Sequence, residues 1–183
     1  MKSVVYLQKI GEVNSSIIIR LKKNMHWLLK KYGIRVEILP ESFKTQKNEY
    51  IDVERQFNGE LILRRLEKTI KSKENKKILG IIDGDIKGTR KIHLFGLTNL
   101  KGSCALISIY RLRGSFYNKE EDISLFDLRV LKEALHELGH TLGLRHCTNN
   151  CVMKYSKSLK EVDEKPEEFC LACHYMLKKL SKN

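Results

Sequence analysis

Two prolines, one tryptophan and no apolar run approaching the roughly 18–20 residues of a membrane span are what this 183-residue chain has little of. Each shortage excludes something. Without Pro-rich, Gly-rich or low-complexity tracts there is no linker, and no self-similar period points to a solenoid, so the chain reads as one domain over residues 1–183. The first nine residues lack the long apolar stretch and small-residue cleavage site of a secretion signal, which predicts a reducing, cytoplasmic setting. Acidic residues are in deficit, 22 Asp and Glu against 35 Lys and Arg, for a formal net charge of +13. The basic residues are scattered as Lys22-Lys23, Lys30-Lys31, Arg64-Arg65, the 71–77 run, Arg90-Lys91 and Lys178-Lys179. A solvated surface is the first reading of that pattern, and a patch for nucleic acid or an acidic partner the second. A hydrophobic content of 42% is enough to bury a core.

What is there in full is a metal site. His136-Glu137-Leu138-Gly139-His140-Thr141-Leu142-Gly143-Leu144-Arg145-His146 puts two histidines four residues apart, on one face of a helix and about one turn from each other. Two imidazoles so placed can meet one Zn²⁺ at roughly 2.0–2.1 Å. Gly143 can take positive φ and turn the chain out of the helix, which brings His146 back as a third ligand. Three neutral nitrogens leave a fourth position for water, the arrangement of a catalytic zinc. The bland alternative is a chance HExxH on an amphipathic helix, but the added Gly and third His make coincidence improbable. Leu128, Leu131, Leu135, Leu138 and Leu142 supply the buried stripe of that helix, and Ser124 to Asp127 reads as its capping box, with a start near Leu125.

Cys147, Cys151, Cys170 and Cys173 form a close pair and a CxxC, the framework of a tetrahedral Zn(Cys)₄ site. Two disulfides are the rival, disfavoured in a reducing compartment. Cys104 lies in an apolar run and reads as a buried small hydrophobe, and His174 is an alternative to one thiolate. Because Cys147 follows His146 and Cys151 precedes Met153 by two positions, a metal on the cysteines would orient His146 and the Met153 turn. Two zinc ions per chain are expected, one catalytic and one structural.

The long motif with a Met downstream resembles the metzincin metallopeptidases. A cysteine directly after the third His, another two residues before Met153 and a late CxxC narrow the likeness to the archaemetzincins, over residues 124–173. The resemblance implies peptide-bond hydrolysis, with Met153 as a hydrophobic floor under the histidines. It also implies a role for Tyr155 near the metal, since Met153-Lys154-Tyr155 is similar to the Met-x-Tyr of some metzincins. It points further to residues 93–97 as an antiparallel edge strand above the cleft, to which an extended peptide can add itself. His93 on that strand reads as a surface residue rather than a catalytic one.

Upstream, the periodicity predicts strands at 4–9, 34–39, 78–83, 92–97 and 104–112. It predicts helices at 15–32, capped by Asn14, and from the Asn58 cap to about 70, with an irregular stretch over 40–57. A last helix is expected from Pro166, packing through Phe169, Met176, Leu177 and Leu180. The expected fold is mixed α/β: a compact metzincin-like zincin fold with a twisted, mixed five-stranded sheet backed by helices and a zinc-bearing helix. Residues 1–144 make the sheet-and-helix part, and 145–183 a small C-terminal subdomain stapled by the cysteine zinc. Glu137 is the expected general base, taking a proton from the zinc-bound water. The partner is a peptide or protein substrate, with no membrane, no nucleic acid and a monomeric state. The alternatives are an inactive metallopeptidase-like binding protein and, less favoured, a basic zinc-stabilised nucleic-acid module, which leaves the histidine motif unexplained.

Overall fold

The computed structural model describes residues 3–70, 76–88 and 93–180, Leu180 in its backbone alone. In chain order the elements are β1 (Val4–Ile10), α1 (Ser15–Leu29), β2 (Arg35–Ile38), β3 (Tyr50–Ile51), β4 (Gln56–Asn58), α2 (Gly59–Glu67), β5 (Lys76–Ile82), β6 (Ile86–Lys87), β7 (His93–Leu94), β8 (Gly96–Thr98), β9 (Cys104–Ser108), α3 (Ile123–Thr141), α4 (Leu159–Glu164) and α5 (Leu171–Leu180). The main sheet has five strands in the order β2-β1-β5-β9-β8. Four of them run parallel, and β8 alone pairs antiparallel, Leu97 facing Leu106 of β9. The periodicity predicts the five strands, and the metzincin resemblance implies their mixed pairing with one antiparallel edge strand.

Side chains alternate across the pleat, and that alternation decides which helix packs where. Val5, Leu7, Leu79, Ile81, Ala105 and Ile107 point to the face covered by α1 and α3, where they share one core with Leu21, Met25, Leu135 and Leu138. Ile10, Ile78, Ile82, Cys104 and Leu106 point the other way, onto Ile62, Leu63 and Leu66 of α2. Buried on both faces, β5 reads as a continuous apolar run for this reason. Asn14 and Asn58 cap their helices as expected, accepting from Ser16 N at 2.9 Å and Leu61 N at 3.1 Å. Cys104 is fully buried.

Several boundaries differ from the sequence expectation. The first helix passes at Lys30–Tyr32 into a 3-10 turn, and α2 ends at Glu67, short of residue 70. The 40–57 stretch is not wholly irregular: β3 and β4 pair there and, with β6 and β7, build a second, four-stranded sheet. The strand expected over 92–97 breaks at Phe95 into β7, which joins the small sheet, and β8, which edges the large one. Its residue 92 lies outside the described residues, as do 71–75 and Arg90-Lys91 of the basic runs. The strand from 104 stops at Ser108, because residues Tyr110–Leu112 form a 3-10 turn.

The capping box over Ser124 to Asp127 does not form. Asp122 caps α3, accepting from Leu125 N at 3.0 Å, and Asp127 instead receives Arg20 Nε at 2.5 Å and Nη2 at 3.0 Å, tying α3 to α1. The last helix begins at Leu171 rather than Pro166, which sits in the turn between α4 and α5. Leu177 is buried as expected and Met176 is exposed; the Leu180 side chain lies outside what is described. The short α4 was missed, although Ser158 and Glu161 form a capping box at its start.

Helix α3 runs through the middle of all this. Every residue from 129 to 139 is buried, polar ones included, so its metal-facing side is as enclosed as its leucine side. Arg129 binds Asp163 through two contacts of 2.6 and 2.7 Å, and Lys132 donates to the carbonyls of Val162 and Asp163 at 3.2 and 2.8 Å. These fix α4 along the helix that carries the histidines.

Candidate active site

The last turns of α3 place His136 and His140 on one face, their Nε2 atoms 3.1 Å apart. The tetrahedral edge for nitrogens at zinc distance is roughly 3.3 Å. Each ring is turned by its other nitrogen: Nδ1 of His136 lies 2.9 Å from the Val152 carbonyl, and Nδ1 of His140 lies 2.8 Å from that of Leu144. A carbonyl at Nδ1 keeps the proton there and leaves Nε2 free to ligate.

Gly143 does what the sequence predicts. At φ 94° it leaves the helix, with Gly143 N bonded to His140 O and Leu144 N to Gly139 O, both at 2.9 Å. This Schellman closure carries the chain back to His146, whose ring centroid is 5.3 Å from that of His136 and 4.8 Å from that of His140. The ligand atoms of His136, His140 and His146 lie within 4.8 Å of one another, a set able to hold one metal ion. Burial pushes the His136 imidazole down to about 3, with Lys165 adding to the effect, and lowers His140 and His146 as well. All three imidazoles are uncharged at neutral pH, the form that can ligate a metal.

Two close approaches that sequence reasoning missed define the rest of the site. A Cβ on Gly96 would stand 2.6 Å from Glu137 Cγ and 2.8 Å from its Oε1, so the Glu137 side chain lies directly against the bare backbone of β8. A Cβ on Gly139 would overlap Met153 Sδ, so Met153 packs under the helix only because that position has no side chain. Met153 is fully buried. Burial, with Glu133 adding, raises the Glu137 carboxyl well above the ordinary range, against an opposing effect of Lys165. Tyr155 is half exposed, its ring centroid 4.9 Å from that of His146.

The three histidines, Glu137 and Tyr155 line a cleft of 470 Å³ whose other wall is residues 93–98. His93 is therefore part of the cleft wall and not simply a surface residue. Glu133 and Lys165 also line it as a buried ion pair at 2.7 Å, unforeseen in the sequence. Glu133 was findable, since it stands one turn before Glu137 on the same helix face. Nothing local marks Lys165. A second groove of 510 Å³ continues past His140 and His146 to Leu100 and Arg145.

The four cysteines Cys147, Cys151, Cys170 and Cys173 come together as well, their sulfurs within 4.8 Å of one another. Cys147 Sγ and Cys170 Sγ are 3.7 Å apart, close to the roughly 3.8 Å edge of a tetrahedron of thiolates around zinc and far from the ~2.05 Å of a disulfide. All are free thiols. The Cys170 thiol is pushed down to about 6, first by the backbone N–H of Cys173. Burial raises Cys151, and burial together with the neighbouring thiols raises Cys173. Four thiols crowded this way cannot all ionise beside one another without a cation, so the donor set fits zinc. His174 does not replace one of them; its Nδ1 is 2.8 Å from Tyr32 OH. Val152 joins the two clusters, its carbonyl on His136 and its N–H on Glu168 O at 2.8 Å.

Two histidines on a helix and a third returned to them by a glycine turn, beneath an antiparallel edge strand and with a buried Met below, make the frame of a zinc metallopeptidase. The profile of peptidase family M54 matches residues 5–179. An Archaemetzincin of Saccharolobus solfataricus is 40% identical over 172 residues, covering 93% of this chain and 90% of its own length. The crystal structure of Archaemetzincin from Archaeoglobus fulgidus, complexed with malonate, superposes with a TM-score of 0.79 at 35% identity, covering 94% of this chain and 99% of that one. A zinc-dependent peptidase from Methanocorpusculum labreanum gives a TM-score of 0.83 at 25% identity, over 94% and 99% of the two chains. The chain belongs to peptidase family M54, the archaemetzincins, and is a zinc-dependent metallopeptidase acting on peptide or protein substrates.

Proposed function

We propose that the hydrolytic centre of this metallopeptidase is assembled from His136, His140 and His146 as the zinc ligands and Glu137 as the general base. The observation that carries this is the pair of imidazoles with Nε2 atoms 3.1 Å apart, each aimed by a carbonyl at Nδ1. When bound, zinc lowers the pKa of its water toward ~7 and polarises the scissile carbonyl. Glu137, enclosed between α3 and Gly96, takes the proton from the attacking water and delivers it to the leaving amine. Tyr155, beside His146, is placed to donate to the oxygen that gains charge. Strand β8 presents its free edge to an extended substrate, held by backbone hydrogen bonds.

In this reading Cys147, Cys151, Cys170 and Cys173 hold a second, structural zinc, and residues 145–183 act as a subdomain on the sheet-and-helix part, within one functional unit of residues 1–183. The enzyme works as a monomer in the cytoplasm, where the cysteines stay reduced, and not on nucleic acid. Among the described residues no helix is long and apolar enough to cross a membrane.

Metal analysis of purified protein should give two zinc ions per chain, the histidine-bound ion leaving first on chelation because its shell is open. One tightly held zinc, with no rise in titratable thiol after denaturation and metal stripping, would remove the second site.

A further inference from the structure

The cleft beside the histidines contains polar groups that the hydrolytic reading does not use. Lys165 Nζ donates to Glu133 Oε1 at 2.7 Å, and the two side chains are 1% and 5% exposed. Among the described residues neither charged group has another hydrogen-bond partner, so Lys165 keeps two N–H donors and Glu133 a second oxygen. Ser156 Oγ, on the same cleft, is buried with no hydrogen-bond partner among the described residues. Buried polar groups in folded proteins are almost always paired, so the unpartnered Ser156 Oγ, lining one cavity with an ion pair that has hydrogen-bonding capacity to spare, marks a set open to a complementary group. All three line the cavity that contains Glu137 and the three histidines.

We infer that Glu133, Lys165 and Ser156 form a specificity pocket for a neutral substrate side chain carrying both a donor and an acceptor, the carboxamide of Asn or Gln, next to the bond that is cut. The inference rests on the metallopeptidase reading of the same cleft and adds the substrate class. Charge decides against the other side chains. The pair already neutralises itself, so an acidic or basic side chain would enter as a third, uncompensated charge in an enclosed site. An apolar side chain would strip water from the pair and from Ser156 and give nothing back. A carboxamide matches both ends: its oxygen accepts from Lys165 Nζ or Ser156 Oγ, and its NH₂ donates to Glu133. The cleft then reads the substrate at one side chain while β8 holds the backbone irrespective of sequence.

The test is binding of three hydroxamate-terminated peptides to the zinc-loaded protein, identical except that the side chain next to the hydroxamate is Gln, Glu or Met. Calorimetry should give Gln an affinity ~10–100-fold above both others. Ser156→Ala should narrow that ratio. The double variant Glu133→Leu/Lys165→Met, which replaces a buried pair by apolar groups of similar volume, is expected to fold and to prefer Met instead. Equal affinities for all three peptides would overturn the pocket, as would preference for Glu or an unchanged ratio in the double variant. A pair that only ties α3 to the Pro166 turn would shift thermal unfolding and leave the ratio alone. Should no hydroxamate bind at all, the hydrolytic reading fails first, an outcome distinct from three equal affinities.

Discussion

The histidine cluster and the cysteine cluster meet along residues 146–153 yet are built in opposite ways. His136 and His140 are carried by a helix buried on every side, and their rings are set by carbonyls before any metal arrives. The cysteines stand on turns and at the start of α5, and what holds them together is a few backbone bonds: Cys147 N to Met153 O at 3.0 Å, Val152 N to Glu168 O at 2.8 Å, and Cys170 N to Cys151 Sγ at 3.3 Å. The first cluster is preorganised by the fold. The second draws the C-terminal stretch onto the main core, where Cys151 and Cys173 are buried with Val152, Met153 and Leu177, and metal binding there adds to folding. A reactive site needs its ligands fixed with one position open; a staple needs only a closed shell.

The sharpest way to separate chemistry from both clusters is Glu137→Gln. It keeps the side chain's shape and should retain two zinc ions, while peptide hydrolysis falls about 10²–10⁴-fold. Equal turnover by variant and wild type would assign the base elsewhere. Gly96→Ala probes the same residue from the strand side. An added Cβ would stand 2.6 Å from Glu137 Cγ, and a flexible side chain gives way more readily than a paired strand, so Glu137 should be displaced and kcat should drop by about 10²-fold with zinc content unchanged. If Glu137→Asp, one methylene shorter, recovers part of that loss in the double variant, the displacement is the cause.

Cys170→Ser with Cys173→Ser tests whether the two clusters are coupled. Freeing the 147–153 turn should loosen His146 and the Val152 carbonyl on His136, weakening zinc at the histidines by ~10–100-fold. Competition with a chelator reads this directly. Loss of the thiolate metal with undiminished affinity at the histidines would make the cysteine site a remote staple.

The mildest perturbation is acid. The imidazoles are held below their ordinary 6.5, His136 at about 3. Between those limits the three imidazoles bind more protons in the unfolded chain than in the folded one, partly offset by the raised Glu137 carboxyl. Metal-free protein should therefore be most stable above pH ~6.5 and lose stability as pH falls toward 3, by about 1.4 kcal/mol per pH unit for each excess proton. Urea unfolding of stripped and zinc-loaded protein at several pH values would show it. A flat profile for the stripped protein would mean that the histidine pocket opens to water without its metal.

The sequence by itself determined the elements whose information is local. Spacing on one helix fixed the face shared by His136 and His140, Gly143 fixed the turn, the CxxC announced the thiolate set, and apolar runs marked all five strands of the main sheet. What failed were features set by partners far along the chain. Asp127, expected in a local capping box, is bound instead by Arg20, 107 residues away, while Asp122 caps α3. Residues 93–98 split at Phe95 because two different sheets claim the halves. The burial of Glu133 against Lys165, the contact of Gly96 with Glu137 and that of Gly139 with Met153 are decided only when strand, helix and C-terminal turn close on one another. Periodicity records which way a side chain points, and tertiary packing alone decides what it meets.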